Sequence, residues 1–171
     1  MDESGSVDPA TDRLDAGSRL EIVEACTRMA HHADRREWDE LVAVFAEEIR
    51  VDYTSLQGGD PVTVTGEQLV DGWRQALGGL AATQHLIANH LVDADGDLAV
   101  CAADFQATHV LPNAQGDPTW TLGGRYRFEL RRLEGAWRIA GLTMTTVWAA
   151  GNQQIMSLAA GSTTTTTEEP R

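Results

Sequence analysis

Five side chains that could perform proton transfer lie on widely separated segments of this sequence. They are Asp34, Tyr53, His85, His109 and Tyr126. Histidine has an ordinary pKa of ~6.5, so an imidazole can accept and return a proton near neutral pH. A carboxylate can orient an imidazole, and a phenol can donate a hydrogen bond to a carbonyl oxygen that becomes negative. Together these residue types favour acid–base chemistry beside a carbonyl group.

The segment 82–90, ATQHLIANH, places polar side chains in a run that otherwise predicts a buried strand. Side chains alternate between the two faces of a strand, so His85, Ile87 and Asn89 share one face. Burying an imidazole or an amide without a partner is costly. We therefore expect this face to line a polar site.

The same alternation predicts that other polar side chains point inward. His109 shares a face with Phe105, and Tyr126 shares a face with Phe128. Tyr53 has the parity of the apolar residues in its own strand. Asp34 lies on the apolar stripe of a helix, because it follows Ala30 by four residues.

Each of these side chains also has a purely structural interpretation. A buried histidine or tyrosine often only satisfies a hydrogen bond in the core. Asp34 could cap the following turn or pair with Arg36. Two histidines and one carboxylate could also hold a metal ion, but no ligand-spacing motif is present, so we predict neither a metal nor a cofactor.

The elements that must position these residues are helices in the first half and hairpins in the second. Ser18, with Glu21 three residues later, predicts the start of one helix, and the segment 36–47 predicts a second. A third is predicted from Gly66 to the Gly78–Gly79 pair. Long alternating segments joined by short turns follow, so we predict an α+β domain with helices on one face of a curved antiparallel sheet.

The chain is expected to form a single domain. Residues 1–16 and the polar C-terminal tail have no periodicity and are predicted to be disordered. The domain itself is predicted over residues 17–150, and residues 151–171 form a C-terminal segment that ends in this tail.

The overall charge limits the partners of this chain. Its formal net charge is −13 at pH 7, which opposes binding to nucleic acid or to an anionic membrane. The sequence has no run of roughly 20 apolar residues and no apolar signal core at its N-terminus. We expect a cytoplasmic protein whose partner is a small-molecule substrate, without nucleic-acid or membrane binding.

Three stretches of the chain resemble scytalone dehydratase and its bacterial relatives. They are ADRREWDELVAVFAEEIRVDYTS at 33–55, TQH at 83–85 and GAWRIAGL at 135–142, with a tryptophan further on. The relatives include bile-acid dehydratases and SnoaL-like polyketide cyclases of the nuclear-transport-factor-two-like superfamily. The resemblance covers residues 18–150, and the order of the motifs makes it more specific than any single motif.

The resemblance implies a fold, a reaction and roles for four residues. The fold is a cone-shaped, strongly curved antiparallel sheet whose cavity is closed by N-terminal helices. The reaction is loss of water from a hydroxylated ring ketone without metal or organic cofactor. By position, Asp34 matches a carboxylate that orients the catalytic His85, Tyr53 matches a tyrosine that holds water against the carbonyl, and His109 matches a second histidine.

Three positions depart from the family pattern. Ala33 stands where the family has a tyrosine, and Gly124 and Tyr126 stand where fungal scytalone dehydratase has a serine and an asparagine. These departures make scytalone itself an unexpected substrate, and Tyr126 would replace part of the lost hydrogen bonding. The residues expected to contact substrate are Tyr126, Asn89, Trp38, Phe105 and Phe128.

The leading hypothesis is a cofactor-independent lyase, a dehydratase of a hydroxylated carbonyl or polyketide-like molecule. A SnoaL-like cyclase or isomerase that closes a ring or opens an epoxide is an alternative, because proton transfer is common to both. A non-catalytic small-molecule binding protein is the third hypothesis, since one fold hosts many functions. The resemblance also implies a homo-oligomer, with a trimer expected ahead of a dimer.

Overall fold

The computed structural model describes residues 14–162 and contains five helices within them. Most of the segment 1–16 and much of the polar tail, both predicted to be disordered, lie outside the described residues. No described helix is both long enough and apolar enough to cross a membrane. The helices are α1 (Ala16–Arg35), α2 (Trp38–Val42), α3 (Thr54–Gln57), α4 (Gly66–Leu77) and α5 (Gln154–Ser162).

Six strands form one curved sheet in the order β2-β1-β6-β5-β4-β3. The pair β1 and β6 is parallel and the other neighbouring pairs are antiparallel. This arrangement confirms the predicted α+β class. The strands are β1 (Phe45–Asp52), β2 (Val62–Thr65), β3 (Ala82–Asp95), β4 (Leu98–Val110), β5 (Thr119–Leu133) and β6 (Ala136–Gly151).

Helix α1 begins earlier than the predicted start at Ser18. The Asp15 carboxylate accepts hydrogen bonds from the backbone N–H groups of Gly17 at 2.8 Å and Ser18 at 3.0 Å. Asp15 is therefore the N-cap, because it satisfies donors that the first turn leaves free. The hydroxyl of Ser18 donates to the same carboxylate and supports the cap.

The second predicted helix is too long. Helix α2 covers only five residues, and the chain enters β1 at Phe45. The backbone N–H of Ile139 donates to the carbonyl of Val44 at 3.0 Å, and Phe45 is the register partner of Ile139. Pairing with β6 overrides the helical pattern of this segment, and Phe45 is buried in the resulting strand.

Irregularities in the ladders bend the sheet around its helices. The pairing of β3 and β4 shifts between Ala88 and Leu91, where Asn89 has a φ of 57°. The pairing of β5 and β6 shifts between Gly123 and Gly124, and a Cβ at Gly124 would overlap the carbonyl oxygen of Thr145. Such bulges increase local twist and curvature, so they produce the hollow that the helices cover.

The core lies between the concave face of the sheet and the helices. Fully buried side chains of both layers meet there, among them Ile22 of α1, Ile49 of β1 and Phe128 of β5. The two cysteines, Cys26 and Cys101, are free and buried within this core.

Helix α5 lies in the segment after the predicted domain. Its residues Ile155 and Ala159 are both fully buried. The backbone of Ala159 packs closely on Gly79, which follows α4. A Cβ on Gly79 would overlap the carbonyl oxygen of Ala159. The C-terminal segment therefore extends the helical layer over the sheet.

Candidate active site

A cavity of about 130 Å³ lies between the concave face of the sheet and the helices. Its polar lining side chains are Tyr53, Gln57, His85, His109 and Tyr126. The rest of the wall is apolar, with tryptophan, methionine and small residues from both layers. These apolar residues are Met29, Ala30, Ala33, Leu56, Trp73, Ala76, Leu77, Phe105, Ala107, Trp120, Leu122, Met144 and Met156.

Asp34 and His85 form a dyad at the wall of this cavity. The ring Nδ1 of His85 lies 2.6 Å from Oδ1 of Asp34, and the backbone N–H of His85 donates to Oδ2 at 2.7 Å. The side chain of His85 is 14% exposed and that of Asp34 is 18% exposed. Because the carboxylate accepts the Nδ1 proton, Nε2 is the ring nitrogen left with a lone pair for another partner.

The end of α1 fixes the position of Asp34. Arg36 adopts a left-handed conformation with φ 59° and ends the helix through backbone hydrogen bonds to the preceding turn. Its guanidinium donates to the carbonyl of Leu80, which lies just before β3. The last turn of α1 is thereby attached to the segment that carries His85.

His109 lies beside the dyad and is almost completely buried. Its Nδ1 is 2.9 Å from the hydroxyl of Thr83, and its ring meets that of His85 edge-on with centroids 5.6 Å apart. Burial and then the neighbouring His85 lower the pKa of His109 to about 4, against the opposing effect of Asp34. The imidazole of His109 is therefore neutral at neutral pH.

Tyr53 reaches the cavity from the junction between β1 and α3. Asp52 accepts hydrogen bonds from the backbone and hydroxyl of Thr54 at 3.1 and 2.7 Å, and Ser55 donates to the Met144 carbonyl at 2.8 Å. These bonds fix the turn on both sides of Tyr53. Burial, with a contribution from Tyr126, raises the pKa of Tyr53. Its hydroxyl is therefore a neutral donor.

Tyr126 contributes the second phenol from β5. Its ring stacks on Phe105 with centroids 4.3 Å apart and an interplanar angle of 25°. Burial, followed by the negative charge of Asp34, raises the pKa of the Tyr126 hydroxyl. This phenol is therefore also protonated across the physiological range.

Three residues expected to contact substrate lie outside the cavity wall. Asn89 occupies the β3 bulge, where its amide donates to Asp104 at 2.8 Å on an exposed surface. The bulge adds a residue and breaks the alternation that predicted an inward Asn89. Trp38 instead stacks beneath the guanidinium of Arg74, and Phe128 is fully buried in the core.

The sequence interpretation missed several residues that the structure places at the site. Trp120 packs against His109 with ring centroids 5.5 Å apart, and Trp73 lines the same cavity as Tyr53. The sequence could have indicated Trp120, because Trp120 and Leu122 are two residues apart and share the inward face of their strand. Met156 lies in the segment after the predicted domain, and the sequence had no pattern that brought it to the cavity.

A group of possible metal ligands lies at the surface, away from the cavity wall. The ligand atoms of His31, His32 and Glu37 lie within 4.8 Å of one another near the end of α1. Nδ1 of His32 is 2.7 Å from the Glu37 carboxylate, and Arg35 lies 3.4 Å from the same group. The hydrogen bond of His32 and the ion pair of Arg35 with Glu37 account for this group without a metal ion.

Comparisons with known proteins agree on fold and family. No curated protein matches the sequence significantly. The Kfla4162 protein from Kribbella flavida is 29% identical with a TM-score of 0.77, over 86% of this chain and 99% of its own. A protein from Novosphingobium aromaticivorans that carries the name of scytalone dehydratase is 18% identical with a TM-score of 0.67, over 80% of this chain and 89% of its own.

A hexachlorocyclohexane dehydrochlorinase, LinA type 2, has the same fold. It is 16% identical with a TM-score of 0.67, over 80% of this chain and 89% of its own. The six-stranded curved sheet with its N-terminal helices is thus the expected cone of the NTF2-like fold. The model of the SnoaL-like domain matches residues 15–143. The chain belongs to the SnoaL-like family.

Proposed function

We propose that this protein is a cofactor-independent lyase that removes water from a small β-hydroxy carbonyl compound. The observation that carries this proposal is the Asp34–His85 dyad at the wall of an apolar cavity, with its two hydrogen bonds of 2.6 and 2.7 Å. The carboxylate holds the imidazole in one tautomer and stabilises the imidazolium formed on protonation. His85 is therefore prepared to act as a general base.

The reaction begins when Nε2 of His85 removes the proton α to the substrate carbonyl. The electron pair of the broken C–H bond moves toward the carbonyl and gives an enolate. When the enolate collapses, a carbon–carbon double bond forms and the bond from the β-carbon to the hydroxyl oxygen breaks. The imidazolium of His85 returns the proton to this oxygen, so the products are one enone and one water.

The phenols stabilise the enolate. Tyr53 and Tyr126 line the same cavity as His85 and stay protonated because burial raises the pKa of both hydroxyls. Each can donate a hydrogen bond to the oxygen that becomes negative in the transition state. The neutral His109 supplies a further polar contact to the substrate.

A panel of cyclic β-hydroxy ketones tests this function. Turnover is followed by the ultraviolet absorbance of the enone and by mass spectrometry, which separates loss of water from isomerisation. We expect loss of water with the wild type, and a loss of rate of at least about 100-fold in His85→Gln. The exposed His31→Gln is the matched control and should retain full rate.

Either of two results would overturn the proposal. One is isomerised or cyclised product without loss of water, which would favour the cyclase alternative. The other is wild-type turnover in His85→Gln, since no other side chain of the described cavity wall has the carboxylate partner that His85 has.

A further inference from the structure

The size of the cavity limits what can react inside it. Its volume of about 130 Å³ is close to the ~150 Å³ of an apolar protein cavity that binds one benzene molecule. Met29, Met144 and Met156 are among the side chains that line this space. A second fused ring would have to displace these packed side chains, and overpacking of this kind is unfavourable.

The charges around the cavity limit the substrate as well. Among the described residues that line it there is neither lysine nor arginine. Asp34 is the nearest carboxylate to the dyad histidine, and each of its two oxygens accepts a hydrogen bond from His85. A substrate carboxylate or phosphate would therefore be buried without a counterion, in a protein whose net charge of −13 already repels anions.

We infer that the cavity takes an uncharged substrate whose reacting part is a single six-membered ring that carries the carbonyl and hydroxyl oxygens. The reaction in this inference rests on the proposed function. The size and charge of the substrate are inferred from the cavity alone. The two phenols and two imidazoles contact the substrate oxygens and the reacting carbon, while tryptophan and methionine side chains contact the rest of the ring. Carboxylates and phosphate esters on the ring are excluded by charge, and fused polycyclic ketones by size.

Ligand binding tests the inference without turnover. Trp73 and Trp120 line the cavity, so a bound ligand should change the intrinsic fluorescence. The probes are cyclohexanone, cyclohexanecarboxylate and the two-ring ketone 2-decalone. We expect saturable binding of cyclohexanone that is at least about tenfold tighter than binding of either other probe.

An enlarged cavity provides the matched control. Met156 is only partly buried and contributes one wall from α5, so Met156→Ala should keep the fold and improve binding of 2-decalone relative to cyclohexanone. Wild-type preference for the carboxylate or for 2-decalone would overturn the inference, as would the absence of saturable binding of cyclohexanone. If cyclohexanone binds as expected and no β-hydroxy ketone is dehydrated, the substrate class stands and the proposed reaction fails.

A different observation supports an inference about Thr83. Thr83 and His109 are register partners across β3 and β4, and the Thr83 hydroxyl lies 2.9 Å from Nδ1 of His109. No other hydrogen-bond acceptor contacts this hydroxyl within residues 14–162. If the hydroxyl donates to Nδ1, the proton of the neutral ring is on Nε2.

We infer that Thr83 is a positioning residue that fixes the orientation and tautomer of His109. With Nδ1 occupied, His109 offers its Nε2–H as a donor beside His85, whose ring centroid is 5.6 Å away. The two imidazoles then have opposite roles, because His85 accepts a proton at Nε2 and His109 donates a hydrogen bond from Nε2. This pairing places a donor for a substrate oxygen next to the base.

The tautomer of His109 can be measured by nitrogen-15 NMR of the imidazoles, which needs no substrate. We expect the Nε2–H form in the wild type and in Thr83→Ser, and a mixture of tautomers in Thr83→Val, which has the same shape without the hydroxyl. Once a substrate is known, Thr83→Val should lower kcat on the order of tenfold, and Thr83→Ser should restore it.

An Nδ1–H tautomer in the wild type would overturn this inference, and so would an unchanged Nε2–H form in Thr83→Val. Because the NMR measurement is made on the free protein, it is independent of the lyase proposal. If the tautomers behave as expected but no dehydration is found, only the proposed reaction fails.

Discussion

Asp34 accepts two hydrogen bonds from one residue, His85, through the ring Nδ1 at 2.6 Å and the backbone N–H at 2.7 Å. The first bond fixes the tautomer of the imidazole. The second bond attaches the end of α1 to β3, which is an edge strand of the sheet. A substitution at Asp34 can therefore remove the negative charge beside the imidazole and keep the bond that joins α1 to β3.

Asp34→Asn should retain the fold and lose activity. The amide oxygen can still accept the backbone N–H of His85, but the amide nitrogen would then face Nδ1 as a donor. His85 would take the opposite tautomer, with its proton on Nε2, and could no longer act as a base. We expect kcat for dehydration to fall at least about 100-fold, measured beside circular dichroism and thermal melting to verify folding.

Asp104→Asn is the control for this prediction. Asp104 is an exposed carboxylate that also accepts a hydrogen bond from a side chain of β3, at 2.8 Å from Asn89. It lies outside the cavity wall, so the substitution should leave kcat unchanged. Equal activity of Asp34→Asn and Asp104→Asn would rule out a role for the dyad in proton transfer.

Local periodicity was sufficient to predict the strands that form the cavity wall. The alternation of β4 predicted that Phe105 and His109 point inward, and both are buried there. The helical stripe placed Asp34 with apolar residues, and the structure places it against His85. The orientation of these side chains agrees with the prediction because each strand or helix has regular geometry at that residue.

The sequence did not predict the position of a residue where long-range pairing or an irregular backbone determines it. Asn89 turns outward because the β3 bulge interrupts the period-two alternation. Phe45 belongs to a strand because β6 supplies its hydrogen-bond partners from more than ninety residues away. Met156 reaches the cavity through the packing of α5 on Gly79, which no local pattern encodes.

His109 should make folding stability depend on pH between about pH 4 and 6.5. Its pKa is lowered from 6.5 to about 4, first by burial and then by His85, so the unfolded chain binds a proton in this range that the folded protein does not. Its contribution is therefore complete above pH ~6.5 and decreases as the pH falls toward ~4.

Urea unfolding of the wild type and His109→Gln near pH 7 and pH ~4.5 measures this effect. Carboxylates titrate in both proteins, so the difference between them isolates the histidine. We expect the acid-induced loss of unfolding free energy to be smaller in His109→Gln by about 2 kcal/mol. An identical loss in both proteins would mean that His109 has its ordinary pKa in the folded state.

Gly79→Ala should loosen the helix that completes the cavity. An added Cβ would overlap the carbonyl oxygen of Ala159, so α5 must move away from the end of α4. We expect the free energy of unfolding to fall by about 1–3 kcal/mol, with faster proteolysis within α5. The measurements are urea unfolding and limited digestion followed by mass spectrometry.

The matched control is Gly72→Ala in the interior of α4. An added Cβ at this position meets no atom within 4 Å. Alanine has the higher helix propensity, so this variant should gain about 1 kcal/mol of stability. Equal stability changes at the two glycines would show that the contact with α5 has no energetic role.

We predict a homo-oligomer that buries a row on the outer face of the sheet with an exposed apolar side chain at each end. The register aligns Leu86 with Gln106, Gln106 with Gly123, and Gly123 with Trp148, so these four residues cross the sheet in one row. Leu86 is 57% exposed and Trp148 is 47% exposed in the single chain. A second copy would remove both side chains from water, which favours association.

Size-exclusion chromatography with light scattering tests this assembly at micromolar concentration. We expect an oligomer in the wild type, with a trimer ahead of a dimer, and a shift to monomer in Trp148→Arg, because a guanidinium would be buried in the interface. Leu20→Arg alters an exposed apolar side chain on α1, away from the row, and should leave the mass unchanged. A wild-type monomer, or equal masses for both variants, would show that this row is not an interface.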